Sequence, residues 1–401
     1  MKRILFTTCI SLLIGCSNPS LQPTETFDTQ TSFNTSVEFE LGEILDSFIN
    51  DGTQLPSKTK DNQDIEWSVL EGNATIEDNI IHKSSNALEY EPIKLEATID
   101  KQTYRYSRLL LLDPYVAYLI SYFSSEDDGS EVMKLAYTYN GLYWFKLNQD
   151  ETILAPTIGT KRMRDPSTVR KKDGSFSVLA TQGYDTDSIY VFDTKDFITY
   201  EKERLLKVNT SSSNQKMSEK QAWSPEAFYD RIIDQYVIYW SSVEDKGMFY
   251  NLSSDLNTFT HPKRLLDTGY PIIDGTITKV KNEYSIIFKD EREPMEEYSQ
   301  LQRGSSKEHW YLFEDFSEPF TGHQSEGPMV MKAFDFDGYY IFYDDYTRFQ
   351  FQAYETDDLF NGKLKPIEQK DMMIPLDSPA HSYALPITWK ELERLLQAFG
   401  E

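Results

Sequence analysis

Five short segments carry side chains suited to acid–base chemistry, and they recur at nearly even spacing. They are Arg164-Asp165-Pro166, Trp223-Ser224-Pro225-Glu226, Ile273-Asp274-Gly275-Thr276, Glu326-Gly327-Pro328 and Ala380-His381-Ser382-Tyr383, at intervals of 59, 50, 53 and 54 residues. A fold that brought them together would gather four acids and a histidine: Asp165, Glu226, Asp274, Glu326 and His381. Carboxylates grouped in this way suit hydrolysis of a glycosidic bond, in which one takes a proton from water and another protonates the leaving oxygen. A third is useful because a nearby negative charge makes the proton donor hold its proton more tightly. Asp-Pro by itself is a common turn opener, so the chemical reading rests on the ordered set.

The elements that must position these residues are also repeated. Tyr115–Phe123, Gly174–Thr181, Gln235–Ser242, Glu283–Asp290 and Gly338–Asp345 are near-continuous apolar and aromatic runs, about 50–60 residues apart. Each follows one of the chemical segments, except the first, and the last segment has no later run to pair with. A fainter echo lies downstream of most runs, around Asp196-Phe197, Asp255-Leu256, Asp315-Phe316 and Asp358-Leu359. Five copies of a β unit with no long helical pattern between them predict an all-β fold, a five-bladed β-propeller. The two chain ends would share one blade, which closes the ring and leaves no inner sheet edge exposed. The first strand of each blade lines the central channel, so residues far apart in sequence would converge there.

The ordered motifs resemble those of the family 43 glycoside hydrolases over about residues 115–395. Here they stand as Arg164-Asp165-Pro166-Ser167, Trp223-Ser224-Pro225-Glu226, Ile273-Asp274-Gly275-Thr276-Ile277, Ser325-Glu326-Gly327-Pro328 and His381-Ser382-Tyr383-Ala384-Leu385-Pro386-Ile387-Thr388. The resemblance implies an inverting mechanism, with Asp165 as general base, Asp274 tuning the acid and Glu326 as general acid. Gly275 departs from the family's usual threonine, which would loosen the strand beside Asp274. Arg164, if it points the same way, would keep Asp165 ionised. Glu226 reads as a structural or substrate-orienting acid. Trp223 would stack on a sugar or fill its blade. Lys289, in Phe288-Lys289-Asp290-Glu291, would approach substrate or form a surface ion pair. The resemblance also implies that His381 contacts a structural calcium near the propeller axis; calcium prefers oxygen ligands, and no cluster at zinc spacing is visible. The implied activity is α-L-arabinofuranosidase on arabinose- or xylose-containing plant saccharides. β-Xylosidase and endo-arabinanase are alternatives, and a non-catalytic carbohydrate-binding lipoprotein is an alternative of another class.

The ends of the chain set the expected compartment. Lys2 and Arg3, the apolar run Ile4–Ile14 and Leu13-Ile14-Gly15-Cys16 resemble a bacterial lipoprotein signal, with Cys16 lipidated. Cys9 would leave with that signal, so no thiol chemistry is expected of the mature chain. Residues 17–36 read as a polar tether and 37–113 as a small β-sandwich-like domain. Leu55-Pro56, Ile65-Glu66-Trp67-Ser68 and Leu95-Glu96-Ala97-Thr98-Ile99 in it resemble the atrophied bacterial immunoglobulin-like domain. Residues 114–401 would be the catalytic propeller, and Trp389–Phe399 an amphipathic helix packed on it. A net charge of −25 argues against nucleic acid. It favours a neutral polysaccharide or oligosaccharide partner, with the membrane reached only through the lipid, outside the cytoplasm.

Overall fold

The computed structural model describes Leu45 and residues 48–125, 130–281, 283–307, 309–348 and 350–400. The signal and tether expected at 1–16 and 17–36, and hence Cys16, lie outside the described residues. No helix among the described residues is long and apolar enough to cross a membrane.

Four-stranded antiparallel sheets form the blades of a ring. Blade 1 runs Met163–Arg170, Phe176–Gln182, Ser188–Thr194 and Tyr200–Lys207. Blade 2 runs Trp223–Asp230, Gln235–Ser242, Gly247–Ser253 and Lys263–Leu266. Blade 3 has three strands, Ile272–Val280, Glu283–Asp290 and Leu301–Ser306; where a fourth would lie, Glu314 bridges to Ser305, and Ser317 and Phe320 donate their N–H groups to the carbonyls of Arg303 and Leu301. Blade 4 runs Ser325–Lys332, Tyr339–Asp345, Gln350–Thr356 and Lys365–Ile367. Blade 5 joins the two ends of the ring: Ala380–Thr388 is its innermost strand and pairs antiparallel with Tyr115–Ser125, followed by Glu131–Thr138 and Trp144–Lys146.

The apolar runs are second strands, and they are apolar on both faces because each blade is covered by a neighbour on both sides. Side chains alternate between the faces of a strand, so successive residues enter different seams. Val178 packs with blade 5 and Leu179 with blade 2. Ile286 packs with blade 2 and Ile287 with blade 4. Leu119 and Ile120 divide in the same way between blades 1 and 4. Outer strands such as Tyr200–Lys207 are half exposed and charged. The fainter Asp echo is a turn at the blade rim. Asp196 Oδ1 accepts from the N–H groups of Ile198 and Thr199 at 2.9 Å, and Asp255 Oδ1 accepts from those of Asn257 and Thr258 at 2.9 and 3.1 Å. These are Asx-type turns, each followed by a buried anchor, Phe197 or Leu256.

The helix Trp389–Phe399 starts at a capping box made by Thr388 and Glu391 and buries Leu392 and Leu395 in the seam between blades 5 and 1. Before the ring, the strands Glu66–Glu71, Glu91–Ile99 and Gln102–Leu112 form a sheet with Phe48–Asn50, which joins it in parallel. A hairpin, Ala74–Glu77 with Ile80–Lys83, lies beside it. This unit grips the ring through a buried cluster. Glu391 accepts from Arg170 at 2.6 and 3.1 Å and from the Tyr90 hydroxyl at 2.5 Å, and Arg394 pairs with Glu89 at 2.9 Å. Arg170 and Glu391 are both almost fully buried. Burial would raise the Glu391 carboxyl, but the Arg170 charge and hydrogen bonds hold it below the usual carboxylate range.

Breaking one side of a buried pair leaves a charge without compensation. Arg170→Met is therefore expected to lower stability by about 3–5 kcal/mol in a denaturant titration. The double variant Arg170→Met/Glu391→Leu should recover much of that loss.

Candidate active site

Each innermost strand breaks its pairing at the same place. The register shifts between Arg164 and Ser167, Trp223 and Glu226, Ile273 and Thr276, Glu326 and Met329, and Ala380 and Tyr383. At the second position of every bulge the backbone enters the left-handed region: Asp165 at φ 48°, Ser224 at 49°, Asp274 at 54°, Gly327 at 57° and His381 at 31°. For residues with a Cβ this conformation costs about 1–2 kcal/mol each, and such outliers concentrate at functional sites. The bulge is the local device that swings a side chain out of the pleat. A Cβ at Gly327 would lie 3.1 Å from the His381 ring, so the close approach also calls for glycine there.

The structure corrects one expectation drawn from the sequence, that Glu226 gathers with Asp165 and Asp274 where it could orient a substrate. Glu226 follows the bulge, level with Ser167 and Thr276, and is buried beyond the site. The Tyr239 and Thr276 hydroxyls donate to its carboxylate. Burial outweighs these donors and pushes it up to about 7. Ser224 occupies in blade 2 the position that Asp165 and Asp274 hold in blades 1 and 3.

Asp165, Asp274, Glu326 and His381 line one cavity of about 190 Å³, with Arg164, Tyr184, Trp223 and Glu291 around it. Asp165 Oδ2 accepts from the Thr181 hydroxyl at 2.6 Å, and its Oδ1 lies 3.3 Å from His381 Nδ1. Burial would raise this carboxyl, but His381, Arg164 and Thr181 together hold it at about 2. Asp274 accepts from the Ser224 hydroxyl and from the Gly327 N–H at 3.2 Å, and lies 3.9 Å from His381 Nδ1. Burial opposes charge on His381, yet Asp274, Asp165 and Glu226 raise it to about 10. An imidazolium therefore sits among three acids at neutral pH.

Arg164 points into the site. Its guanidinium pairs with Glu131 at 2.8 Å and lies over the rings of Phe123 and Tyr184 at 4.7 and 4.8 Å. Trp223 lines the cavity, donating its indole N–H to the Tyr184 carbonyl at 2.7 Å and meeting that ring edge-on. Lys289 does not line the cavity and is not at the surface, which rules out the surface ion pair considered from the sequence. Its side chain is 3% exposed, and its Nζ lies 2.8 Å from both Glu326 and Glu291. Sequence reasoning missed Glu131, Thr181, Tyr184, Glu291 and Asp344. The last is buried on the strand beside Glu326, and burial and the Glu326 charge push it up to about 7. The one sequence signal for Thr181 and Tyr184 is Gly183, a turn glycine at the end of an apolar run.

Calcium would need several oxygens free to turn toward it. Among the described residues no group of three or more His, Cys, Asp or Glu side chains is placed to hold a metal. The carboxylates around His381 already accept from Thr181, Ser224, Gly327 and Tyr239. The described residues present do not fit a directly ligated ion. A larger cavity of about 340 Å³ is lined by Thr168, Arg170, Ala227, Tyr383 and Leu385 with Phe48 and Asn50. It lies further along the same inner strands and holds none of the three acids.

His381 is charged in the fold to about pH 10 and loses its proton near 6.5 when unfolded. Its contribution to stability is therefore full below about pH 6.5 and lost as pH rises through about 10. Urea midpoints of the wild type should fall across that window, and those of His381→Asn should fall less.

Residues 113–393 match a family described as "Probable glycosyl hydrolase domain", related to glycoside hydrolase family 43. An alpha-L-arabinofuranosidase of Bifidobacterium longum subsp. longum is 23% identical over 237 residues, which is 49% of this chain and 21% of that protein. The chain thus spans about a fifth of that relative's length. Among solved structures, a thermostable family 43 glycoside hydrolase matches with a TM-score of 0.42 at 14% identity, covering 54% of this chain and 75% of the other. A family 43 β-xylosidase/α-arabinofuranosidase from a compost microbial metagenome, solved with xylotriose in a calcium-free form, matches with a TM-score of 0.42 at 12% identity, covering 55% and 81%. The family match runs from just before the strand Tyr115–Ser125 of blade 5 into the helix that follows ring closure, and the chain belongs to the family 43-related glycosyl hydrolases.

Proposed function

We propose that this chain is an inverting, exo-acting glycosidase on arabinose- or xylose-containing saccharides, with α-L-arabinofuranosidase its leading activity. The observation that carries the reading is the meeting of Asp165, Asp274 and Glu326 in one cavity, on bulges of three different blades. Asp165 is held ionised and can take a proton from water. The water oxygen forms a bond to the anomeric carbon as the glycosidic C–O bond breaks, and Glu326 gives its proton to the leaving oxygen. Asp274 faces both, fixed by Ser224 and Gly327. Inversion needs room for water between base and acid, a separation of about 6.5–9.5 Å. Tyr184 and Trp223 supply apolar faces for a sugar ring and Arg164 a donor for its hydroxyls. The sugar itself is taken from the similarity to the arabinofuranosidase. We also propose that residues 37–113 are an immunoglobulin-like spacer and that Cys16 anchors the chain to a membrane outside the cytoplasm.

Aryl α-L-arabinofuranoside and aryl β-xyloside are the substrates to try first. Asp165→Asn and Glu326→Gln should each lower kcat by about 10²–10⁴-fold, and the first-formed sugar, followed by proton NMR, should carry the inverted anomeric configuration. Wild-type turnover that survives both substitutions would exclude this mechanism. Cys16→Ala should move the protein from the membrane to the soluble fraction of a bacterial host.

A further inference from the structure

Glu291 lines the catalytic cavity beside Glu326, yet neither water activation nor leaving-group protonation needs it. It follows the second strand of blade 3, and its backbone N–H donates to the Pro271 carbonyl at 2.9 Å, which ties it to the start of the inner strand. Between the two glutamates stands Lys289, buried, with its Nζ 2.8 Å from each carboxylate. Burial opposes the Lys289 charge, but Glu326, Glu291 and Asp274 outweigh it and keep the ammonium fully protonated. One positive charge is therefore divided between two acids.

That division matters because a general acid must hold its proton at the pH of catalysis, whereas an ammonium in contact favours the carboxylate. If Lys289 belonged to Glu326 alone, its whole charge would bear on the acid that it aims. We propose that Glu291 is a positioning residue for the acid step: it takes a share of the Lys289 charge, so that Lys289 orients Glu326 with less of that charge opposing the proton transfer. This rests on Glu326 being the acid. The other charged or titratable groups that act on Glu326 are Arg164 from blade 1 and Asp344 and Tyr346 from blade 4. Glu291 in turn faces Asp274 and Glu326 besides Lys289, and burial pushes its carboxyl up. All these groups remain in a Glu291 variant, so a change of pH profile reports on Glu291.

The test is the pH dependence of kcat/KM on the aryl glycoside that the wild-type chain cleaves faster, for Glu291→Gln, Glu291→Asp and Lys289→Gln. Glu291→Gln should move the alkaline limb to lower pH by about one unit, with KM little changed. Glu291→Asp should restore it, and Lys289→Gln should move it the opposite way. The same displacement should appear without turnover, in the ¹³C-carboxyl NMR titration of Glu326 in the full chain with and without Glu291→Gln. An unmoved limb with a raised KM would overturn the proposal and make Glu291 a sugar contact. Shifts of the same sign in Glu291→Gln and Lys289→Gln would also overturn it. If Glu326→Gln keeps wild-type turnover, the assignment of the acid falls; if Glu326 is essential and the limb and the titration stay in place, only the role of Glu291 falls.

Discussion

The pairing of Ala380–Thr388 with Tyr115–Ser125 is the contact on which the rest depends. Blades 4 and 1 can both be covered only when blade 5 stands between them, and that blade exists only when strands from the two ends of the ring meet. Closure buries the seams shared by Leu119 with Phe176 and by Ile120 with Phe342. It also brings His381 to the axis, where it sets the charge state of Asp165. The helix that follows the closing strand then presents Glu391 to Arg170 and Tyr90, so that the N-terminal unit grips the same junction.

Within the ring, the site is built by a backbone departure repeated in every blade. A regular innermost strand would send its side chains into the seams on either side. A bulge with one left-handed residue turns a side chain out of that pleat, and the five residues so placed are Asp165, Ser224, Asp274, Gly327 and His381. Ser224 and Gly327 contribute no charge of their own. They hold Asp274, one through its hydroxyl and the other through its N–H. Glu326 enters blade 4 from the position before the bulge and is held by Lys289 from the second strand of blade 3.

The positive charges are as important as the acids. Carboxylates gathered with little water between them would otherwise neutralise one another by taking up protons. His381 and Arg164 keep Asp165 ionised, whereas for Glu226 burial outweighs its hydroxyl donors and the His381 charge and pushes it up to about 7. The difference between these two acids, drawn from similar motifs, comes from the partners that the fold supplies.

The sequence alone determined the number of blades, their order and three of the four acids that line the cavity, Asp165, Asp274 and Glu326. A second strand covered on both faces must be largely apolar on both, and that pattern needs no tertiary information to be seen. The recurring Asp-Pro, Pro-Glu and Gly-Pro segments likewise mark where the inner strands begin. Register was beyond reach: the chain shows that Glu226 belongs to the same set of segments as Asp165, but only the ladder of hydrogen bonds shows that it follows the bulge while Asp165 turns toward the axis. Charge state was beyond reach for the same reason. Whether Lys289 is a surface cation or the buried link between Glu326 and Glu291 depends on burial and on distances between blades, and these exist only once the ring is closed.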